Sequence, residues 1–125
     1  MPDLLVVDDD ASIRSLLARS LADLGTIEQA ASGDRALEML AAKSYDAVLL
    51  DLHMPGTDGF GVLEKVSKKG GPNARTPFVI ITADPGEQSH ARAFHSGAVF
   101  FVQKPLRMAM LSMLVKGILN KKKKA

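Results

Sequence analysis

The sequence predicts an α/β domain built on a parallel sheet. Short apolar runs recur as unbroken blocks, which is how strands covered on both faces read. A stretch with helical spacing follows each block, and the pattern repeats five times, implying right-handed strand–helix–strand crossovers. Most of the blocks also end in a polar or charged group.

"LLVV" (4–7) is the first strand, followed by a helix on which Ile13, Leu16, Leu17, Leu21 and Leu24 keep helical spacing and Gly25 is the expected stop. "TIEQAA" (26–31) is more polar and suits an edge strand. Ser32 can cap a second helix carrying Ala36, Leu37, Leu40 and Ala41. "AVLL" (47–50) is the third strand, and Phe60, Leu63 and Val66 mark a third helix before the loop-forming "KKGGPNARTP". "FVII" (78–81) is the fourth strand. "DPGE" (84–87) then reads as a capping start, with Asp84 as cap, Pro85 at the first helical position and Glu87 at the third. This fourth helix is poorly apolar, with Ala91 and Phe94 its inward candidates and Gly97 its end. "VFFV" (99–102) is read as a fifth buried strand, and "LRMAMLSMLVKGILN" as the fifth helix.

With 125 residues and 46% hydrophobic content, the chain fits one domain with a substantial core. No apolar run approaches the roughly 20 residues of a membrane span, and "MPDLLVV" lacks the basic start of a signal peptide, so neither is expected. Cysteine is absent, which excludes disulfide and thiol chemistry and suits a cytoplasmic protein. The net charge of +2 is misleading, because "NKKKKA" holds four lysines and the remainder carries 12 basic against 14 acidic residues. The body is slightly acidic, the lysines read as a solvated basic tail, and neither nucleic-acid binding nor membrane association is expected.

Ligands of an open parallel sheet bind beyond the carboxyl ends of its strands. The first strand ends in "VVDDD" (Asp8, Asp9, Asp10), the third in Asp51, the fourth in "IITAD" (Thr82, Ala83, Asp84) and the fifth in "VQKP" (Lys104, Pro105). Asp10, just before a helix, reads as its cap. If the first and third strands are neighbours, Asp8, Asp9 and Asp51 converge, and their mutual repulsion calls for a cation such as Mg²⁺. Acids, metal and Lys104 together suit a phosphate group. A carboxylate can attack phosphorus, and positioning plus charge neutralisation supply most of the rest. "LLDLHMPGTDG" therefore reads as a nucleophile, Asp51, on a strand end, followed by a loop whose proline and glycines let its amides turn inward.

"LLVVDDD", "LLDLHMPGTDG", "VIITA" and "FFVQKP", in this order and spacing, resemble the receiver domain of two-component response regulators, and the likeness covers about residues 3 to 119. The resemblance implies a flavodoxin-like (βα)5 three-layer sandwich with strand order 2-1-3-4-5, a receiver domain over 1–120 and a basic tail over 121–125. It implies a phosphoacceptor rather than an enzyme: Asp51 takes a phosphoryl group from a histidine kinase or histidine phosphotransfer protein and loses it slowly. Asp8, Asp9, Asp51 and the backbone carbonyl of His53 would hold Mg²⁺. Thr82 and Lys104 would contact the phosphoryl group, the Lys104–Pro105 peptide would be cis, and Thr82 and Phe101 would form the switch. The fourth helix, fifth strand and fifth helix would form the output surface, for a downstream protein or a homodimer.

Two other readings compete. Phosphatases with an aspartate nucleophile place a second acid two residues later, where this chain has His53, and need a substrate-binding apparatus larger than this chain provides. A phosphate-independent docking module would not need Asp8, Asp9, Asp51, Thr82 and Lys104 together. The His53 imidazole is expected at the mouth of the site, where it could tune attack by water. His90 and His95 fall on different helix faces and do not form a metal pair. The fifth helix is apolar over more than half its circumference, which reads either as a broad core face or as a partner surface to which methionine is suited.

Overall fold

The computed structural model describes residues 1–68, 71–84 and 86–124. The chain alternates strand and helix throughout: β1 (Asp3–Val7), α1 (Ala11–Ser20), β2 (Thr26–Ala30), α2 (Gly33–Ala42), β3 (Ala47–Leu50), α3 (Gly59–Lys68), β4 (Phe78–Thr82), α4 (Glu87–His95), β5 (Ala98–Gln103) and α5 (Met108–Lys124). All strands pair in parallel, in the expected order β2-β1-β3-β4-β5.

Two cores follow from strand alternation. Leu5, Val7, Leu50 and Ile80 face one side, where they meet Leu40 of α2, Phe60 and Leu63 of α3 and Ala93 of α4. Leu4, Val6, Leu49, Val79 and Ile81 face the other, against Leu17 of α1, Leu21 just after it, and Leu111, Val115 and Leu119 of α5. Burying each of these leucines contributes about 1.5–3 kcal/mol, and the three inner strands β1, β3 and β4 are covered on both faces. The central strands thus fix the rim on which their terminal acids stand. Among the described residues, no helix is long and apolar enough to cross a membrane.

Asp10 and Ser32 cap α1 and α2 as their positions suggest. Other expectations need correction. Helix α1 stops at Ser20, and Leu21–Leu24 form a turn before Gly25, whose Cα hydrogen faces the carbonyl of Pro2 too closely for any Cβ. The run "VFFV" is not buried on both faces: β5 is an edge strand, and Val99 and Phe100 are exposed. On α4 the buried residue is Ala93, while Ala91 and Phe94 face outward, because the helix presents a phase one residue from the one read. Its N-cap is Gly86 without a side-chain bond, so Asp84 does not cap it; Pro85 lies outside the described residues. The lysine run continues α5 as far as Lys124.

A second polar centre organises the opposite end of the sheet. The amide of Asn73, buried before β4, donates to the carbonyls of Leu40 (2.7 Å) and Lys43 (2.8 Å) and accepts from the Tyr45 N–H (2.7 Å) and the Thr76 hydroxyl (2.8 Å). One side chain thereby ties the segments leading into β3 and β4.

Candidate functional site

Parallel pairing of β1 with β3 brings the ends of the two strands side by side, with Val7 opposite Leu50. Asp8, Asp9 and Asp51 each offer a carboxylate oxygen within 4.8 Å of the others. Asp8 is wholly buried and Asp51 nearly so, while Asp9 is exposed. Lys104, delivered from the end of β5, sets its ammonium 2.8 Å from Asp8 Oδ2 and 3.3 Å from Asp51 Oδ2. The Lys104–Pro105 bond is cis, and the Lys104 N–H donates to the carbonyl of Thr82 at 2.7 Å.

Electrostatics follow from this crowding. Burial first, and then the charge of Asp8, pushes the Asp51 carboxyl above its ordinary range, against the pull of Lys104. Burial alone would lower Lys104, but its bond to Asp8 and the charges of Asp51 and Asp8 outweigh that and raise it, so it stays a cation.

The carboxylates are hard oxygen donors converging from two strands, with Asp9 open to water, and this donor set fits Mg²⁺. The His53 N–H points at Asp51 Oδ1 from 3.4 Å, so the loop after β3 does turn an amide toward the acid. Gly59 closes that loop: its N–H donates to the Leu52 carbonyl, and a Cβ there would collide with the Asp51 carbonyl and the Leu52 Cα. Gly56 takes φ +76, a conformation side chains disfavour. On the far side of the loop, the Thr57 hydroxyl donates to Asp34 of α2 at 2.6 Å.

Thr82 is buried at the end of β4, and its hydroxyl accepts the Asp84 N–H at 3.3 Å. Phe101 on β5 is half-buried and packs on the α4 side of the sheet, its ring centroid 3.5 Å from that of His90.

The sequence placed His53 and Asp84 at the rim but did not show the bonds they make. Asp84 Oδ2 lies 2.7 Å from His53 Nε2 and accepts the Ser89 hydroxyl at 2.6 Å, while Oδ1 accepts the Gly86 N–H at 2.8 Å. The Ser89 hydroxyl first, then His53 and the Gly86 N–H, hold the Asp84 carboxyl well below the usual carboxylate range. Arg14 donates to the Asp8 carbonyl at 2.7 Å, pinning α1 to the end of β1. The spacing offered one hint, that His53 and Asp84 each stand two residues beyond a rim residue; nothing pointed to Ser89 or Arg14.

The response regulator receiver domain family matches residues 4–116. The transcriptional regulatory protein ResD of Bacillus subtilis is 35% identical over 119 residues, covering 94% of this chain and 48% of that protein. The response regulator PleD of Caulobacter vibrioides is 39% identical over 117 residues, covering 92% of this chain and 25% of that protein. The chain therefore spans about half, or less, of the length of these relatives. Among solved structures, the chemotaxis protein CheY4 of Vibrio cholerae superposes with a TM-score of 0.87 at 28% identity, covering 95% of this chain and 99% of that one. A CheY-like receiver domain protein from Methanospirillum hungatei reaches 0.91 at 23% identity, covering 99% and 98%, a likeness of fold. The chain belongs to the response regulator receiver domain family of two-component systems.

Proposed function

We propose that Asp51 accepts a phosphoryl group from a histidine kinase or histidine phosphotransfer protein and that the chain switches its output surface in response. The observation that carries this reading is the convergence of Asp8, Asp9, Asp51 and Lys104 on one rim of a receiver fold. An Asp51 oxygen attacks phosphorus, the bond to the donor breaks with its electrons leaving on the donor, and Asp51 becomes an acyl phosphate. Asp8, Asp9, Asp51 and the His53 carbonyl would hold Mg²⁺. When bound, the ion supplies positive charge against the transferred oxygens. Lys104 adds a second positive charge, and the His53 N–H supplies a donor.

Switching starts at Thr82. Drawing its hydroxyl toward the phosphoryl group gives up the Asp84 N–H and opens space beside Phe101, biasing α4, which among its described residues buries Ala93 alone. The output face would comprise α4, β5 and α5. Phe94, Val99, Phe100, Met110 and Met113 are exposed there, and a groove of about 800 Å³ runs between the end of β5 and α5. A protein target or a second copy of the chain would cover this face.

Incubation with acetyl phosphate and Mg²⁺, followed by intact mass, tests the core of the reading. Wild type is expected to gain one phosphoryl group and Asp51→Asn none. Equal labelling of both would refute it. Steady turnover of small phosphate esters would instead favour the phosphatase reading.

A further inference from the structure

The loop that follows Asp51 is held at two points. At its base the Gly59 N–H donates to the Leu52 carbonyl at 2.8 Å, and Asp58 Oδ1 accepts the Gly61 N–H at 2.9 Å where α3 begins. At its crown the Thr57 hydroxyl donates to Asp34 Oδ1 at 2.6 Å, a bond to the first turn of α2 across 23 positions of sequence. The backbone shares this contact, since a Cβ on Gly33 would collide with the Thr57 carbonyl. Between the two points lie His53, whose N–H faces Asp51 Oδ1, and Gly56 at φ +76. Leu52 and Met54 bury their side chains and so set the depth of the loop. Burial does not fix the rotation of the peptide groups beside them, because apolar packing is non-directional. A charge-assisted hydrogen bond does have a preferred distance and angle, and the Thr57–Asp34 bond supplies one next to a glycine that is otherwise free to turn.

We propose that Asp34 is a positioning residue: by holding Thr57 it keeps the loop after β3 in the arrangement that completes the cation site at His53, and so raises the affinity of the acidic rim for Mg²⁺. The role rests on the reading of Asp8, Asp9, Asp51 and the His53 carbonyl as the cation site. Asp34 stands on α2, outside the acid cluster, and adds no bond to the reaction. Thr57 is only half-buried and Asp34 is exposed, so their bond adds little to the stability of the whole fold. Its leverage is local. A loop that samples other arrangements offers a complete site for only part of the time, and the apparent affinity falls by that fraction.

Titration of the metal-free protein with Mg²⁺, followed by amide NMR shifts, tests this on wild type, Thr57→Val, Thr57→Ser, Asp34→Ala, Asp34→Asn and the double variant of Thr57→Val with Asp34→Ala. Thr57→Val and Asp34→Ala are expected to bind the ion about fivefold more weakly, as a loop competent for about one fifth of the time would. The double variant should be no weaker than either single, since all three remove one bond. Thr57→Ser and Asp34→Asn keep the hydroxyl donor and the oxygen acceptor, and should stay near wild type. Asp34→Asn also separates the bond from the long-range pull of one more negative charge on the ion. Without Mg²⁺, amide exchange at His53 should be faster in Thr57→Val, while the melting temperature changes little. Asp34→Ala, at an exposed position, preserves the test should Thr57→Val fold poorly. Wild-type affinity in Thr57→Val and Asp34→Ala overturns the proposal. So does Asp34→Asn binding as weakly as Asp34→Ala, or exchange at His53 that does not change. A wild type that binds no Mg²⁺ overturns the cation-site reading itself, and is seen before any variant is compared.

Discussion

The ammonium of Lys104 lies nearer to Asp8, at 2.8 Å, than to Asp51, at 3.3 Å, so the cation is anchored by the fully buried acid and leans toward Asp51. Removing it leaves two carboxylates facing each other with little water between them. Lys104→Met is expected to lose about 1–3 kcal/mol, less than a sealed pair because the lysine is partly exposed. Mg²⁺ should restore part of that loss by supplying charge to the same acids. Urea unfolding with and without the ion measures both, and an equal loss in the two conditions would contradict the shared charge balance. Phosphoryl uptake should fall about 100-fold, the scale of one lost electrostatic contact at a reacting centre.

Asp51 itself works against the fold. Burial and the charge of Asp8 raise its carboxyl above the ordinary range, so the native state keeps this proton to higher pH than the unfolded chain does. The associated stability is complete below the unfolded value and is lost as pH rises through the raised native one. Asp51→Asn, which keeps the shape and removes the charge, should therefore melt higher than wild type at neutral pH without Mg²⁺. The advantage should shrink as pH falls below the usual carboxylate range. A variant melting lower at pH 7 would mean that Lys104 more than compensates the acid.

The legible part of this molecule is the part governed by periodicity and by strand ends. Unbroken apolar blocks marked β1, β3 and β4, and the topology then placed Asp8 and Asp51 together at the ends of β1 and β3, with Thr82 at the end of neighbouring β4. The run "VFFV" misled because an apolar block looks the same in a central strand and in an edge strand awaiting a partner. Helix α4 misled because its few apolar residues define no clear stripe, and a one-residue phase error exchanges Phe94 for Ala93. The bonds from Asp84 to His53 and Ser89 bring together residues up to 36 positions apart, and no local pattern encodes such a meeting.

Asn73 is the clearest stability hub outside the site. Asn73→Ala would leave the carbonyls of Leu40 and Lys43 and the N–H of Tyr45 without this partner in the interior. The expected cost is about 2–4 kcal/mol in denaturant unfolding. Asn73 lies at the amino end of β4, the end of the strand opposite Thr82 and the acids, so the folded variant should still take up a phosphoryl group at the wild-type rate. A normal midpoint would mean that water satisfies those groups without the amide.

His90 presents the opposite case, a polar atom whose loss should help. Its Nε2 is sealed from solvent with no hydrogen-bond partner among the described residues, while its ring lies at 31° to Phe101. An unpaired buried nitrogen costs free energy that an apolar side chain of similar size avoids. His90→Leu is expected to raise stability by about 1 kcal/mol while keeping contact with Phe101. Because that contact restrains α4, the tighter apolar packing should also slow amide exchange in the first turns of the helix. A destabilised His90→Leu would show that the tilted ring contact with Phe101 is worth more than the stranded nitrogen costs.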